Sequence, residues 1–188
     1  MNDRQWTGVV LAGGKSSRMG RDKALIEVEG ITLLDRAVEL LRPHAKEILV
    51  IGDPGKYAPA HATVLPDDVP DQGPLGGIAT ALRRARYVRL LVLACDLPRI
   101  NDRLLVQLKN GLTGTVDAVV PKHGEHIEPL AAAYHRHAIE PFLRNMAGDR
   151  LRMADALAAV NTAWLATEPG KHGWPADLFR NVNAPSDL

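Results

Sequence analysis

Three short runs of apolar residues limit the folds that this chain can adopt. They are TGVVL at residues 7–11, EILVI at 47–51 and RLLVLA at 89–94. Continuous apolar runs of this kind are typical of strands buried on both faces, which occur where helices cover both sides of a sheet. The third run is the most hydrophobic, and we therefore expect it to form the central strand.

Segments with helical periodicity separate these runs. Apolar residues recur at helical spacing across 32–41 and 75–86, and Asn101 is placed to cap a helix that continues to Asn110. Such an alternation of strands and helices implies right-handed crossovers between parallel strands. The sequence therefore predicts an α/β fold: a Rossmann-like three-layer α/β/α sandwich with a mixed but mostly parallel sheet.

The remaining elements are predicted to be shorter, and a histidine-rich loop lies among them. We expect strands or short extended segments at 62–65, 118–121, 130–134, 162–166 and 179–183, and helices at 137–146 and 151–160. The histidine-rich loop separates the segments at 118–121 and 130–134. A chain of 188 residues is expected to form one domain.

The composition argues against several classes of protein. The net charge is only +1, so the chain as a whole is not expected to bind nucleic acid. Its single cysteine, Cys95, excludes an internal disulfide and a zinc site built on cysteines. No apolar stretch approaches the roughly 20 residues that span a bilayer, and the residues before the first strand do not resemble a signal sequence. We therefore expect a cytoplasmic protein that does not bind membranes.

The loop after the first strand combines glycines with the densest positive charge. In sheets of this kind the ligand lies at the carboxyl ends of the strands, where this loop begins. Its sequence, LAGGKSSRMGRDK at residues 11–23, matches neither the GxxxxGK[ST] nor the GxGxxG signature, which argues against a standard ATPase or NAD enzyme. Backbone N–H groups beside several cations suit a triphosphate. A flexible basic surface loop is the alternative.

Four motifs together resemble a known family. They are LAGG followed by K-x-x-R-M-G and D-K, then GPLGG at 73–77, CDLP at 95–98 and NVNAP at 181–185. In this order and spacing they resemble the nucleotidyltransferases that activate a phosphorylated acceptor with a nucleoside triphosphate. Within that superfamily the chain resembles the molybdenum cofactor guanylyltransferases, which join GMP from GTP to molybdopterin. The resemblance covers essentially the whole chain.

Three residues are the candidates for catalysis. Asp96 follows the RLLVLA run, and a carboxylate at the end of a central strand suits Mg²⁺, which prefers hard oxygen ligands. The resemblance also implies a metal-binding role for Asp96; a turn or helix-capping aspartate is the alternative. Lys23 matches the nucleotide-binding lysine of the family, and Arg18 offers a forked donor to phosphate oxygens. Lys15 could equally be a solvated surface residue.

A larger set of residues is assigned to the nucleotide by the resemblance. It consists of Leu11, Ala12, Gly13, Gly14, Lys23, Asp67, Gly76 and Asp96. Asp67 could accept a hydrogen bond from a guanine edge or from a ribose hydroxyl. Gly76 could instead serve tight packing of a helix on the sheet. Relatives commonly have asparagine after the second strand, where this chain has Ile51-Gly52-Asp53. Recognition of a base other than guanine is therefore an alternative.

The resemblance assigns binding of the acceptor to residues near the end of the sequence. The resemblance implies that Asn181 and Asn183 contact the pterin and that Asn183 could add an oxygen ligand to the metal; an Asx turn is the alternative. His123 and His126 invite a metal site, but their spacing fits no known zinc motif, and we interpret them as part of a polar turn on the acceptor side. Cys95 is expected to be a small core residue and not a nucleophile.

The resemblance implies one reaction and its participants. The terminal phosphate of molybdopterin would attack the α-phosphorus of GTP and release pyrophosphate, with Mg²⁺ as cofactor. Transient contacts with other proteins of molybdenum cofactor biosynthesis and with acceptor enzymes are implied as well. Within a single domain of residues 1–188, residues 1–110 would bind the nucleotide and 111–188 the acceptor. A CTP-dependent enzyme acting on the same pterin, a sugar-phosphate nucleotidyltransferase and a nucleotide-binding regulatory domain are the alternatives.

Overall fold

The structure is a computed structural model that describes residues 5–13 and 22–182. The strands are β1 (Trp6–Leu11), β2 (Glu27–Val28), β3 (Ile31–Thr32), β4 (Glu47–Ile51), β5 (Thr63–Leu65), β6 (Arg89–Ala94), β7 (Ala118–His123), β8 (His126–Ile127), β9 (Ala131–His135) and β10 (Thr162–Ala166). The helices are α1 (Leu33–Leu41), α2 (Gly73–Arg84), α3 (Asp102–Gly111), α4 (Ile139–Ala147) and α5 (Met153–Ala158). None of these described helices is long and apolar enough to cross a membrane.

A single large sheet organises the chain. Its strands lie in the order β10-β7-β9-β6-β1-β4-β5, and β8 pairs with the end of β7. Strands β1, β4, β5 and β6 are mutually parallel, and β10 is parallel to β7. Only β9 among the strands on this path runs in the opposite direction, antiparallel to both β6 and β7. The predicted fold class, with a mixed but mostly parallel sheet and RLLVLA at its centre, is confirmed.

Helices cover both faces of the sheet because its strands are apolar on both sides. Val10 and Leu91 belong to the core on the face covered by α1 and α3, to which these helices contribute Val38 and Leu108. The adjacent strand residues point to the opposite face, where α2, α4 and α5 supply a second apolar core. The sheet is therefore the middle of three layers, as the continuous apolar runs predicted.

The predicted elements agree with the structure most closely in the first 110 residues. The strands 47–51 and 89–94 have the predicted bounds, and Asn101 caps α3 by accepting a hydrogen bond from the Leu104 N–H at 3.1 Å. Helix α2 begins earlier than predicted, at Gly73, whose φ of +60° lies in the left-handed region that favours glycine. The small β2–β3 hairpin was not predicted at all.

One predicted segment is wrong where it begins, and its last residue, Asn183, lies outside the described residues. Residues 179–183 were expected to be extended, but a turn hydrogen bond joins the Arg180 N–H to the Asp177 carbonyl at 2.9 Å, and residues 179–182 form no strand. The chain can turn here because buried side chains on either side, Leu178 and Val182, anchor it to the core. Over residues 179–182 the chain is therefore held by single buried side chains and not by pairing of a strand.

Gly8 in β1 is required for the close approach of α1 to the sheet. A Cβ at this position would lie 2.7 Å from Ile48 Cδ1 and 3.1 Å from Leu41 Cβ. We expect Gly8→Ala to lower the free energy of unfolding by about 1–3 kcal/mol, as overpacking of a core does. Urea unfolding measures this loss. Gly148→Ala is the matched control, because a Cβ there would have its nearest neighbour at 3.5 Å; equal losses in both variants would contradict the steric explanation.

Candidate active site

The carboxyl ends of the parallel strands form one continuous edge. Backbone hydrogen bonds extend past the strand ends: Ala12 N–H donates to the Ile51 carbonyl at 3.0 Å, and Cys95 N–H donates to the Leu11 carbonyl at 3.3 Å. Gly52 N–H donates to the Leu65 carbonyl at 2.9 Å. The loops after β1, β4, β5 and β6 therefore begin side by side, and most of the predicted site residues lie in them.

Lys23 and Asp96 meet at this edge. Asp96 follows β6 in a turn, and Lys23 begins a short 3₁₀ helix, Lys23–Leu25. The Lys23 Nζ lies 3.6 Å from Asp96 Oδ2, and each side chain keeps about a quarter of its surface exposed, 25% and 24%. The pair thus joins the end of the first loop to the central strand. A cation and a carboxylate that remain accessible at a strand end are suited to bind a metal–phosphate group.

Asp22 and Tyr57 fix the segment that carries Lys23. The Asp22 carboxylate accepts a hydrogen bond from the Ala24 N–H at 3.2 Å and lies 2.7 Å from the Tyr57 hydroxyl. The same hydroxyl lies 2.8 Å from the Ala12 carbonyl oxygen, so its proton can be donated to either acceptor. Tyr57 is buried. It therefore connects the two ends of the first loop, at Ala12 and Asp22, to the loop after β4.

Gly52 makes room for the Tyr57 ring. A Cβ on Gly52 would lie 2.7 Å from Tyr57 Cε2 and 3.4 Å from Ala12 Cβ. A side chain here would displace the ring or the strand end. Residues 51–53 depart from the family pattern, as the sequence analysis noted. In this chain the glycine at position 52 leaves the space that the Tyr57 ring fills.

Burial and the hydrogen bond to Asp22 raise the pKa of the Tyr57 phenol. Above about pH 10 an unfolded chain loses the phenolic proton while the folded chain retains it, so rising pH destabilises the fold through this residue. Tyr57→Phe should remove that contribution. We expect the loss of stability between about pH 10 and about pH 11 to be smaller in Tyr57→Phe, by up to about 1.4 kcal/mol per pH unit. Chemical denaturation at both pH values measures it, and equal pH dependence in the two proteins would contradict the assignment.

Asp67 and Gly76 lie next to each other beside the start of α2. Asp67 Oδ1 accepts a hydrogen bond from the Thr80 hydroxyl at 2.8 Å and from the Val69 N–H at 3.2 Å. A Cβ on Gly76 would lie 3.2 Å from Asp67 Oδ2 and 2.8 Å from Gln72 Cβ. Asp67 therefore has a structural role, and Gly76 permits the close approach of its second oxygen to the helix.

The neighbouring Asp68 holds the same loop against α2. Its oxygens lie 2.8 Å from Arg83 and 2.6 Å from Arg84, and the hydrogen bond from Arg84 holds the pKa of the Asp68 carboxyl below its usual range. Both arginines are about half exposed, so the ion pairs position the loop more than they stabilise the fold.

The last described residues, Asn181 and Val182, lie next to Asp96. The Val182 N–H donates to the Asp96 backbone carbonyl at 2.9 Å, and the Val182 side chain is buried against Ile26 and Leu33. Asn181 is exposed directly beside this contact. The structure therefore brings one of the two predicted acceptor-binding asparagines to the turn that contains Asp96.

Contacts with α3 hold the segment that precedes Val182. The Arg103 guanidinium lies 4.1 Å from the centre of the Trp174 ring, and its Nη2 donates to the His172 carbonyl at 3.0 Å. Trp174 and Leu178 are buried in the core on the α1–α3 face. These contacts hold the chain against α3 just before it turns toward Asp96.

Cys95 is buried beside Asp96, as predicted for a core residue. Burial raises the pKa of its thiol to about 12, and the negative charges of Asp96 and Asp22 add to this effect. A thiol with such a pKa is not ionised at neutral pH and is a poor nucleophile.

His123 and His126 form a hairpin, not the loop that the sequence predicted. They face each other as cross-strand partners in β7 and β8, with ring centres 5.4 Å apart. The His123 ring also stacks on Phe179, at 5.3 Å and an interplanar angle of 4°, and its Nε2 lies 3.0 Å from Glu128 Oε1. The pairing was missed because only a two-residue turn separates the histidines.

Several candidates lie outside the described residues. These are Gly14, Lys15, Arg18 and Asn183. Of the other candidates, Leu11, Ala12, Gly13 and Asp96 lie at the ends of β1 and β6, and Lys23 lies against Asp96. Tyr57 and the role of Asp22 were not predicted from the sequence. The signal that could have found Tyr57 is the Gly52 immediately before its loop, since a glycine at a strand end is typical of a close approach.

Comparisons with known proteins agree over nearly the whole chain. A family model described as the MobA-like NTP transferase domain matches residues 8–180. The probable molybdenum cofactor guanylyltransferase of Pelotomaculum thermopropionicum is 34% identical, over 98% of this chain and 90% of that protein. The protein of the same name from Chloroflexus aggregans is 33% identical, over 97% of this chain and 91% of its own length.

Solved structures show the same fold. Molybdopterin-guanine dinucleotide biosynthesis protein A from Archaeoglobus fulgidus superposes with a TM-score of 0.78 at 26% identity, covering 96% of this chain and 94% of that one. A 2-C-methyl-D-erythritol 4-phosphate cytidylyltransferase from Thermus thermophilus, at 19% identity and a TM-score of 0.68, shares the fold over 95% of this chain and 93% of its own.

Proposed function

Because the chain belongs to the family of MobA-like NTP transferase domains, we propose that it transfers GMP from GTP to the terminal phosphate of molybdopterin. The products are pyrophosphate and the molybdopterin guanine dinucleotide cofactor. The observation that carries this proposal is the Lys23–Asp96 pair at the carboxyl edge of the sheet, in a chain whose relatives are named molybdenum cofactor guanylyltransferases.

The donor set at this edge fits Mg²⁺. Asp96 supplies a carboxylate oxygen that is neither fully exposed nor buried, and Asn183 is the proposed second oxygen ligand. Hard oxygen ligands with room for water are what Mg²⁺ prefers. When bound, Mg²⁺ would offset the repulsion between the nucleotide phosphates and the phosphate of the acceptor.

The chemistry needs positioning and charge neutralisation. An oxygen of the acceptor phosphate forms a bond to the α-phosphorus, the bond from that phosphorus to the bridging oxygen of the β-phosphate breaks, and the electron pair leaves with pyrophosphate. The attacking oxygen is already ionised at neutral pH, so the protein does not have to remove a proton. Lys23 and Arg18 stabilise the negative charge that develops on the leaving pyrophosphate.

The nucleotide occupies the edge between the first loop and α2. We assign the phosphates to Leu11, Ala12, Gly13 and Gly14, where a glycine pair permits close approach of the backbone. Asp67 and Gly76 face the ribose or the base. Because Asp67 Oδ1 is engaged by Thr80, we assign the contact with the nucleotide to Asp67 Oδ2, which lies beside Gly76.

The acceptor occupies the other side of Asp96. The contact between Val182 and the Asp96 carbonyl supports this assignment, because it leaves the exposed Asn181 beside the proposed metal ligand. Residues 1–110 thus form the nucleotide-binding half of one domain and 111–188 the acceptor-binding half. Transient contacts with the proteins that deliver and receive the pterin would take place on the acceptor half.

Nucleotide selectivity tests the proposal. Purified protein is incubated with Mg²⁺, molybdopterin and GTP, CTP, ATP or UTP in turn, and pyrophosphate release is measured together with the dinucleotide product. We expect turnover with GTP to exceed that with the other three. A preference for CTP would replace guanylyl with cytidylyl transfer, and GTP binding without pyrophosphate release would show a regulatory domain.

A further inference from the structure

Three potential metal ligands converge far from the nucleotide edge. Asp117, His135 and His137 each offer one ligand atom, and these atoms all lie within 4.8 Å of one another. In residues 5–13 and 22–182 no other group of three histidine, cysteine or acidic side chains converges in this way. The two imidazoles distinguish this group from an ordinary acidic surface cluster.

The reversed strand β9 produces this convergence. Asp117 immediately precedes β7, and His135 ends β9, which runs antiparallel to β7. The end of one strand and the start of the other therefore meet at the same edge, where the His135 N–H donates to the Asp117 carbonyl at 2.7 Å. His137 follows two residues later in a 3₁₀ helix that turns its ring back toward Asp117.

Neighbouring backbone holds the carboxylate of Asp117. Asp117 Oδ2 accepts a hydrogen bond from the Asn161 N–H at 3.0 Å, which directs Oδ1 toward His137 Nδ1, 3.8 Å away. The rings of His135 and His137 lie with their centres 4.1 Å apart. Such support from a second layer of hydrogen bonds is typical of metal sites, where it fixes the orientation of a ligand.

We propose that Asp117, His135 and His137 bind a divalent transition metal of the zinc class. Ligands at tetrahedral angles and about 2.1 Å from a metal are about 3.4 Å apart, so the 3.8 Å separation of Oδ1 and Nδ1 closes with a small movement of an exposed ring. His135 Nδ1 accepts a hydrogen bond from the His137 N–H that is long, at 3.3 Å, and a bond to the metal would replace it. Two imidazoles select zinc, cobalt or nickel over magnesium.

The role of this metal site is separate from the proposed guanylyl transfer. It lies at the amino ends of the parallel strands, and the six residues of β6 separate this edge from Asp96 by about 20 Å. A metal here would join β7, β9 and, through Asn161, the start of β10. Its direct effect is on the stability of this side of the sheet, because it lies too far from Asp96 to contact the reacting phosphates.

Calorimetric titration with Zn²⁺ tests the proposal. The titration uses the full chain with Asp96→Asn and excess Mg²⁺, so that metal at the nucleotide edge does not contribute. We expect one Zn²⁺ per chain and a rise in the unfolding temperature that a chelator reverses. His137→Asn and Asp117→Asn should each weaken binding at least about tenfold. The His137 side chain is 77% exposed, so its replacement is not expected to disturb the fold.

The matched control is His61→Asn. His61 is an exposed histidine at the same edge with a φ of 63°, a conformation that asparagine tolerates well. Binding that persists in His61→Asn and is lost in His137→Asn would support the site. Absence of stoichiometric binding, or equal affinities in all variants, would overturn it.

Discussion

Replacing Asp96 by alanine should lower Mg²⁺-dependent pyrophosphate release from GTP by about a thousandfold or more. The substitution removes the carboxylate proposed to hold the metal and the anionic neighbour of Lys23 at 3.6 Å. Metal ions contribute several kcal/mol of transition-state stabilisation, and about 1.4 kcal/mol corresponds to each factor of ten in rate. Initial rates at saturating GTP and molybdopterin measure the effect.

The fold should survive this substitution. The Lys23–Asp96 pair is partly exposed, and such pairs contribute about 1 kcal/mol or less to stability. Unfolding of Asp96→Ala by urea should therefore remain close to that of the unmodified protein. Asp155→Ala, an exposed aspartate on α5, is the matched control and should retain full turnover. Near-normal turnover in Asp96→Ala would contradict a metal-binding role.

The first half of the fold could be predicted because its strands are apolar on both faces. Runs such as RLLVLA leave few alternatives to a sheet covered by helices on both sides, and the structure places this run at the centre. The meeting of Lys23 and Asp96 then follows from topology, since the carboxyl ends of parallel strands lie at one edge. Two residues far apart in the chain could thus be placed in one site without any structure.

Features that depend on single contacts could not be predicted. Tyr57 is buried between Ala12 and Asp22, but nothing in the periodicity around residue 57 distinguishes it from a surface tyrosine in a turn. The β2–β3 hairpin has two residues in each strand, too few to show a pattern. The stacked rings of His123 and Phe179 bring together residues that are distant in the chain, in a segment that we had expected to be extended.

Direction of a strand is a further property that local sequence does not specify. The AAAYH segment of β9 is as apolar as a parallel strand, yet it runs antiparallel to β6. Its last residue therefore lies at the edge opposite Asp96. The sequence therefore did not predict a metal site at His135 and His137, because Asp117 becomes their neighbour only through this reversal.

Replacing Lys23 by methionine should lower kcat/KM for GTP by about a hundredfold. Methionine retains an unbranched apolar side chain but removes the charge that we place against the triphosphate. Loss of one preorganised donor to a developing negative charge typically reduces rates by about 10²–10³. Steady-state kinetics with GTP varied at saturating molybdopterin measure the change, and KM for molybdopterin should change much less than kcat/KM for GTP.

Two further variants separate the effect of the location of Lys23 from the effect of its positive charge. Lys46→Met is the matched control, because Lys46 is exposed at the opposite edge of the sheet, just before β4, and should leave kcat/KM unchanged. Lys23→Arg keeps the positive charge but spreads it over a planar group, and we expect it to recover part of the lost rate.

If Lys23→Met binds GTP as well as the unmodified protein and turns it over at the same rate, Lys23 does not contact the triphosphate. If Lys23→Met instead loses affinity for molybdopterin and GTP equally, the residue organises the Asp96 turn as a whole, since Val182 and the acceptor side depend on the same turn.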